Sequence, residues 1–212
     1  MTTAPLRVIA EDRAVTVVRA GRPFDVRMLV TALAAGGLRA VELTMTTPHI
    51  LDRLAADDIG DAATIGVGTV LTARDADAAI DAGAQFLVTP AVREAVAGAA
   101  AARNVPVIMG AYTPTEVMAA IDLGAAAVKI FPARMAGPDY LRDLHGPFPG
   151  TALIPSGGIN ATNAAAYLAA GATAVTAGTD VVAPELVAAA DWTAITGRAK
   201  SFVAAINNEG RN

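Results

Sequence analysis

Asp122-Leu123-Gly124-Ala125-Ala126-Ala127-Val128-Lys129-Ile130-Phe131-Pro132 runs from the end of an alanine-rich helix, through a glycine, into a short apolar strand. Gly124 stands where a helix ends in a left-handed residue, a position glycine fills without a side-chain clash. The same handover recurs at Ala35-Gly36-Gly37, Asp81-Ala82-Gly83-Ala84 and Ala169-Ala170-Gly171-Ala172. From Gly37 to Gly171 the copies are 46, 41 and 47 residues apart, each interval long enough for two strand–helix units.

Outward from this repeat, short apolar runs alternate with longer helical segments along the whole chain. Strands are expected at Val15–Arg19, Ala40–Thr44, Thr64–Gly68, Phe86–Thr89, Pro106–Gly110, Ala127–Phe131, Ala152–Ser156 and Ala174–Ala177. Helices are expected near 24–35, 48–57, 72–82, 91–103, 114–123, 138–145, 162–170 and 185–206, the last broken near Trp192. A further short helix is expected from about Leu6 to Asp12. The strand runs are often apolar on both alternating faces, as in parallel strands covered by helices. Eight such units with no switch of order predict a closed (β/α)8 TIM barrel with a short N-terminal helix; a doubly wound open sheet is the competitor. The fold commonly takes about 250 residues, so 212 residues make a compact version, read as a single domain over 1–212.

Composition narrows the function classes. Hydrophobic residues make up 54% of the chain and aromatics 4%, so the core is built from Ala, Val, Leu and Ile. Sixteen basic and twenty acidic side chains leave a net charge of −4, with no basic run to form a nucleic-acid surface. With no cysteine, disulfides and thiolate chemistry are excluded, and two histidines, His49 and His145, exclude a histidine-rich metal site. Asp57, Asp58 and Asp61 read as a solvated acidic loop rather than metal ligands. Charges at Arg7, Glu11, Asp12 and Arg13 interrupt the first fifteen residues, unlike a signal peptide. No uninterrupted apolar stretch reaches a membrane-spanning length, so a soluble cytoplasmic protein without a membrane partner is expected.

A barrel keeps its active site at the C-terminal ends of its strands. The polar residues there are Arg19, Glu42, Thr44, Thr46, Thr69, Thr89, Lys129, Ser156, Thr179 and Asp180. Lys129 in its apolar run must either snorkel past the rim or point into the barrel. Burial disfavours an ammonium ion, and a free amine attacks a ketone. The next lysine is Lys200, so a Schiff-base mechanism has one nucleophile to use. Glu42, in Val41-Glu42-Leu43-Thr44, is costly to bury unpaired. Lys129 would partner it inside the barrel; Arg39 at the rim or plain solvent would do so otherwise. Ser156-Gly157-Gly158 and Ala177-Gly178-Thr179 are glycine turns after the last two strands, where exposed N–H groups can hold a phosphate. In Gly66-Val67-Gly68-Thr69-Val70 the glycine spacing is wrong for a dinucleotide fold. Gly68 there reads as close backbone approach and Thr69 as a donor near substrate, or else as a tight turn with Thr69 or Thr72 capping the next helix.

In this order, Val41-Glu42-Leu43-Thr44, Gly66-Val67-Gly68-Thr69-Val70-Leu71, Ala82-Gly83-Ala84-Gln85-Phe86, Val128-Lys129-Ile130-Phe131-Pro132-Ala133, Ser156-Gly157-Gly158-Ile159 and Asp191-Trp192 resemble the bacterial 2-keto-3-deoxy-6-phosphogluconate (KDPG) and 4-hydroxy-2-oxoglutarate (KHG) aldolases. The likeness runs from about Val17 to Trp192. It implies a homotrimeric (β/α)8 barrel that cleaves a phosphorylated 2-oxo acid to pyruvate and glyceraldehyde 3-phosphate with no metal or other cofactor. It makes Lys129 the Schiff-base lysine and Glu42 the general acid/base. Thr69 then helps to hold the pyruvyl carboxylate, Pro90 and Phe131 line the pocket, and Ser156, Gly157, Gly158, Gly178 and Thr179 belong to the phosphate end.

Two departures stand out. Gluconate-type members carry an arginine two positions after the threonine of E-x-T, and here that position is Thr46. Arg19, in Val17-Val18-Arg19-Ala20-Gly21, resembles the I-L-R-G turn of the galactonate-type relatives and would grip the substrate carboxylate instead. Tyr112 follows Met109-Gly110-Ala111 where the family often has P-G-x-x, and is expected to narrow the pocket. Three readings compete with the aldolase of a phosphorylated acid. They are an aldolase of unphosphorylated 2-oxo acids, a phosphate-binding barrel isomerase or epimerase, and a non-catalytic assembly or binding protein.

Overall fold

Alternation of short apolar runs with helices produces eight parallel strands in the computed structural model, which describes residues 3–57 and 59–207. The strands are β1 (Ala14–Val18), β2 (Ala40–Thr44), β3 (Thr64–Gly68), β4 (Phe86–Val88), β5 (Val107–Ala111), β6 (Ala127–Ile130), β7 (Leu153–Pro155) and β8 (Val175–Ala177). The helices are α1 (Ala4–Asp12), α2 (Val26–Ala35), α3 (Ile50–Ala56), α4 (Ala73–Asp81), α5 (Glu94–Ala102), α6 (Pro114–Asp122), α7 (Gly137–His145), α8 (Ala164–Ala169), α9 (Pro184–Ala189) and α10 (Trp192–Asn207). Single 3-10 turns sit at Gly60–Ala62 and Ala133–Met135.

The ladder order is β7-β6-β5-β4-β3-β2-β1-β8. Thr173 N donates to Leu153 O at 3.0 Å and the Thr176 hydroxyl to Pro155 O at 3.3 Å, so β8 also meets β7 and the sheet curls into a barrel. An open doubly wound sheet would leave those two strands on opposite edges. The glycine repeat does what its spacing implies: Gly37, Gly83, Gly124 and Gly171 all have positive φ, between 77° and 106°, just before a strand.

Alternation along each strand divides the core in two. Leu43, Val67, Leu87, Met109 and Val128 face the helices, where they pack with residues such as Leu29 and Leu33 of α2. Val15, Phe86, Val88, Ile108 and Ile154 fill the lumen, and Ile9 of α1 packs into the same cluster as a plug at the lower end. Gly66 makes room for the Phe86 ring, since a Cβ there would lie 2.2 Å from it. One cavity opens toward the C-terminal ends of the strands, and a second, apolar hollow lies beside α1 at the lower end, lined by Leu6, Ile9, Ala127 and Ile154.

Several expected boundaries shift for local reasons. The expected helix over 162–170 begins at Ala164, because Asn160 and Asn163 fold the preceding residues into a turn: Asn160 Oδ1 accepts from Thr162 N, and Asn163 Oδ1 accepts from Asn160 N. The break expected near Trp192 falls at Ala190, in the left-handed region at φ 53°, and Asp191 caps the new helix by accepting from Ala194 N at 3.0 Å. Asp57 is not a solvated carboxylate. It is half-buried and accepts from Val26 N at 3.2 Å, supplying a partner to the first turn of α2, whose N–H groups have none within the helix. Asp58 and the Asp61 side chain lie outside the described residues, as do residues 1, 2 and 208–212 of the expected 1–212 domain. Among the described residues no helix is long and apolar enough to cross a membrane.

Candidate active site

Lys129 enters the lumen from β6 with its side chain 11% exposed, and its Nζ lies 3.2 Å and 3.4 Å from the two carboxylate oxygens of Glu42 on β2. Glu42 is 2% exposed. Snorkelling is thereby ruled out, and so is Arg39 as the partner of Glu42. Arg39 turns to the lower end of the barrel, where Nε bonds Asp12 Oδ1 at 2.9 Å and Nη2 reaches Glu11 at 3.1 Å. Two opposite charges face each other across a barrel that shields them from water, so each is the other's principal compensation. The Phe131 ring centroid lies 5.9 Å from Nζ and closes another side of the amine.

The approach of the carboxylate depends on Gly68. A Cβ at that position would stand 1.9 Å from Glu42 Oε1. Gly68→Ala is therefore expected to push the carboxylate off Lys129 and lower kcat by about 10-fold or more, with far-UV circular dichroism unchanged. Wild-type kcat in this variant would show that the contact is dispensable.

Around this pair opens a cavity of about 500 Å³ lined by Arg19, Glu42, Thr69, Pro90, Lys129, Phe131, Ser156, Gly157, Gly158, Gly178 and Thr179, all expected from the sequence. Thr46, also expected, is not on the wall. Its hydroxyl accepts from Arg19 Nη1 at 2.5 Å, while Arg19 Nη2 reaches the Thr69 hydroxyl at 3.4 Å. The arginine from β1 is thus steered over the β2 and β3 ends by two hydroxyls. Thr69 is held at φ 62°, a left-handed conformation that a threonine adopts only when its surroundings impose it.

At the other end, Gly157 and Gly158 both have φ of 89°. Among the described residues, no protein acceptor takes the N–H of Gly157, Gly158 or Thr179. All three residues line the cavity, and backbone N–H groups left free in such turns are suited to receive an anion. The turn alone presents them, because residues 160–163 separate the glycines from α8.

Other strand-end residues serve the scaffold. Thr89 accepts from Gly110 N at 3.2 Å and donates to Ala91 O at 2.7 Å, bracing β4 against β5. Asp180 accepts from Ala161 N at 2.9 Å. Tyr112 does not narrow the cavity: its ring packs 5.8 Å from that of Tyr140, its N donates to Glu116, and its carbonyl accepts from the Tyr140 hydroxyl. Glu116 and Tyr140 are also shifted in their ionisation. Hydrogen bonds from the backbone of Thr113 and of Tyr112 hold the Glu116 carboxyl below the usual carboxylate range, and burial pushes the Tyr140 hydroxyl up. Five wall residues were not expected, namely Val17, Arg134, Ile159, Thr176 and Val182. Four of them complete the walls, but Arg134 adds a cation. Its position just after Pro132-Ala133 was the available signal.

The profile of the KDPG and KHG aldolases matches residues 7–197. The chain belongs to this family. It is 36% identical to the 2-dehydro-3-deoxy-phosphogluconate aldolase of Pseudomonas aeruginosa, over 86% of this chain and 84% of that one. Identity to the 2-dehydro-3-deoxy-6-phosphogalactonate aldolase of Escherichia coli is 33%, over 79% and 83%. Among solved structures, the KDPG aldolase of Legionella pneumophila, with pyruvate captured as a covalent carbinolamine intermediate, superposes with a TM-score of 0.85 at 29% identity, over 95% of this chain and 99% of that one. The family match takes in β1 through β8 and so the whole cavity. Within this KDPG and KHG aldolase, no three His, Cys, Asp or Glu side chains among the described residues gather as metal ligands would.

Proposed function

We propose that this aldolase works through a Schiff base on Lys129, without a metal, and cleaves 2-keto-3-deoxy-6-phosphogluconate or its C4 epimer to pyruvate and D-glyceraldehyde 3-phosphate. The observation that carries the reading is the buried Lys129–Glu42 pair, one amine 3.2 Å from one carboxylate in a closed barrel. The covalent pyruvate adduct of the Legionella relative supports an intermediate of the same kind here.

The Lys129 amine, freed of its extra proton, adds to the C2 ketone. Glu42 delivers and removes protons as the carbinolamine loses water to give a protonated imine. Glu42, through a water, then takes the C4 hydroxyl proton. The C3–C4 bond breaks, its electron pair runs into the imine as an enamine, and the aldehyde leaves. Protonation at C3 by Glu42 and addition of water to the imine release pyruvate and restore the amine. Arg19, steered by Thr46 and Thr69, holds the C1 carboxylate in this reading, and the glycine turns receive the phosphate. The same reading takes the chain as one aldolase domain assembling as a homotrimer in the cytoplasm.

Sodium borohydride with pyruvate tests it. One stable pyruvyl-derived mass is expected, on the peptide that holds Lys129 and on no other. An isomerase or a non-catalytic barrel would leave the protein unmodified, and that result overturns the proposal. Product analysis with the two C4 epimers, and with and without phosphate, assigns the substrate.

A further inference from the structure

A dianionic phosphate needs more than backbone dipoles, and the loop after β6 carries a cation where the anion cradle ends. Ala133 N donates to Ser156 O at 2.7 Å and Arg134 N to Gly157 O at 2.9 Å, so the 3-10 turn is tied to the glycine turn beside it. The stem of Arg134 then lies directly over Gly158, with a Cβ at that glycine falling 2.7 Å from Arg134 Cβ and 3.7 Å from Cδ. Gly158 is therefore needed twice, for its positive φ and for the passage of this side chain. Among the described residues the Arg134 guanidinium has no carboxylate or carbonyl partner, and it borders the cavity together with Gly157, Gly158 and Thr179. Asp180, next to Thr179, adds a negative charge to the adjoining loop, which makes a nearby cation more necessary for an incoming anion.

We infer that Arg134 is a specificity-determining residue of this aldolase, closing over the phosphoryl group of the substrate after it settles on the glycine turns. A guanidinium presents parallel N–H donors spaced to match two phosphoryl oxygens, and it remains charged across the working pH range. The free N–H groups position the phosphate and Arg134 neutralises it. The chain thereby discriminates the phosphorylated sugar acid from the same acid ending in a hydroxyl. This rests on the proposed aldolase reaction and names the residue that sets its preference.

Steady-state kinetics on the phosphorylated and unphosphorylated forms of the sugar acid, in wild type, Arg134→Gln and Arg134→Lys, test it. The ratio of kcat/KM for the two substrates is expected to fall by about 10- to 100-fold in Arg134→Gln, the worth of one charged hydrogen-bonding group. The loss is expected in KM for the phosphorylated form, with Arg134→Lys recovering part of it. Inorganic phosphate should inhibit the wild type competitively, with an inhibition constant that rises in Arg134→Gln. An unchanged ratio, equal losses on both substrates, or an unmoved phosphate inhibition constant overturns the inference. Absence of borohydride labelling at Lys129 in the wild type would overturn the aldolase reading instead, so the two failures are distinct.

Discussion

Lys129→Met is expected to lower kcat/KM for aldol cleavage by about 10,000-fold or more, the scale of losing a covalent nucleophile. Among the described residues Lys129 is the only lysine in the cavity wall, so no other lysine there can take over. The same substitution strands Glu42, 2% exposed, without its cation. Breaking a buried pair from one side typically costs about 3–5 kcal/mol, whereas replacing both members with apolar groups is often neutral. Denaturant unfolding should therefore show Lys129→Met clearly destabilised and Lys129→Met/Glu42→Leu recovered toward wild type, although both are inactive. Lys129→Arg separates the roles further, since it keeps a positive charge for Glu42 but offers no amine to a ketone. It should fold with closer to wild-type stability and take up no pyruvate under borohydride. Substantial cleavage by any of the three variants would remove Lys129 from the chemistry.

Much of this arrangement was legible in the chain itself. Strand and helix order follow from alternating apolar runs, and the expected bounds of β2 and β3 match to the residue, with Arg39 just before β2 and Thr69 just after β3. Boundaries slipped where side chains, not periodicity, decide: at Asn160 and Asn163 ahead of α8, and at Ala190 and Asp191 ahead of α10. Lys129 and Glu42 stood out because charged residues in apolar strands demand partners. Their mutual distance was not readable, as it depends on barrel curvature and on Gly68 leaving space for the carboxylate. The motif resemblance placed Arg19 and Thr46 in question together. The hydrogen bond between them explains why: the hydroxyl at 46 steers an arginine that arrives from another strand. Arg134 escaped notice since an arginine in an exposed loop looks like any solvated cation until the loop is seen bound to the glycine turn.

Glu42→Gln is the second substitution with a large expected effect. Glutamine keeps the volume and one oxygen acceptor, so the contact at 3.2 Å from Lys129 Nζ survives in outline while the proposed proton-transfer group is gone. Loss of a positioned general acid/base reduces turnover by about 100- to 10,000-fold, and the loss should fall on kcat with KM little altered. Glu42 serves in the proposed reaction at carbinolamine dehydration, at the C4 hydroxyl and at enamine protonation. All three steps should slow together. Exchange of the pyruvate methyl protons with deuterated water reports imine formation and the enamine step, with no aldehyde or phosphate involved, and is expected to decline in parallel with cleavage. Borohydride should still trap pyruvate on Lys129 in this variant, more slowly but to the same mass, because the nucleophile is intact. If cleavage fell while methyl exchange held at the wild-type rate, Glu42 would act on the C4 hydroxyl only and another group would move the C3 proton. If both held, the carboxylate would be no more than a counter-ion for the lysine, and its burial 3.2 Å from the amine would be explained by pairing alone.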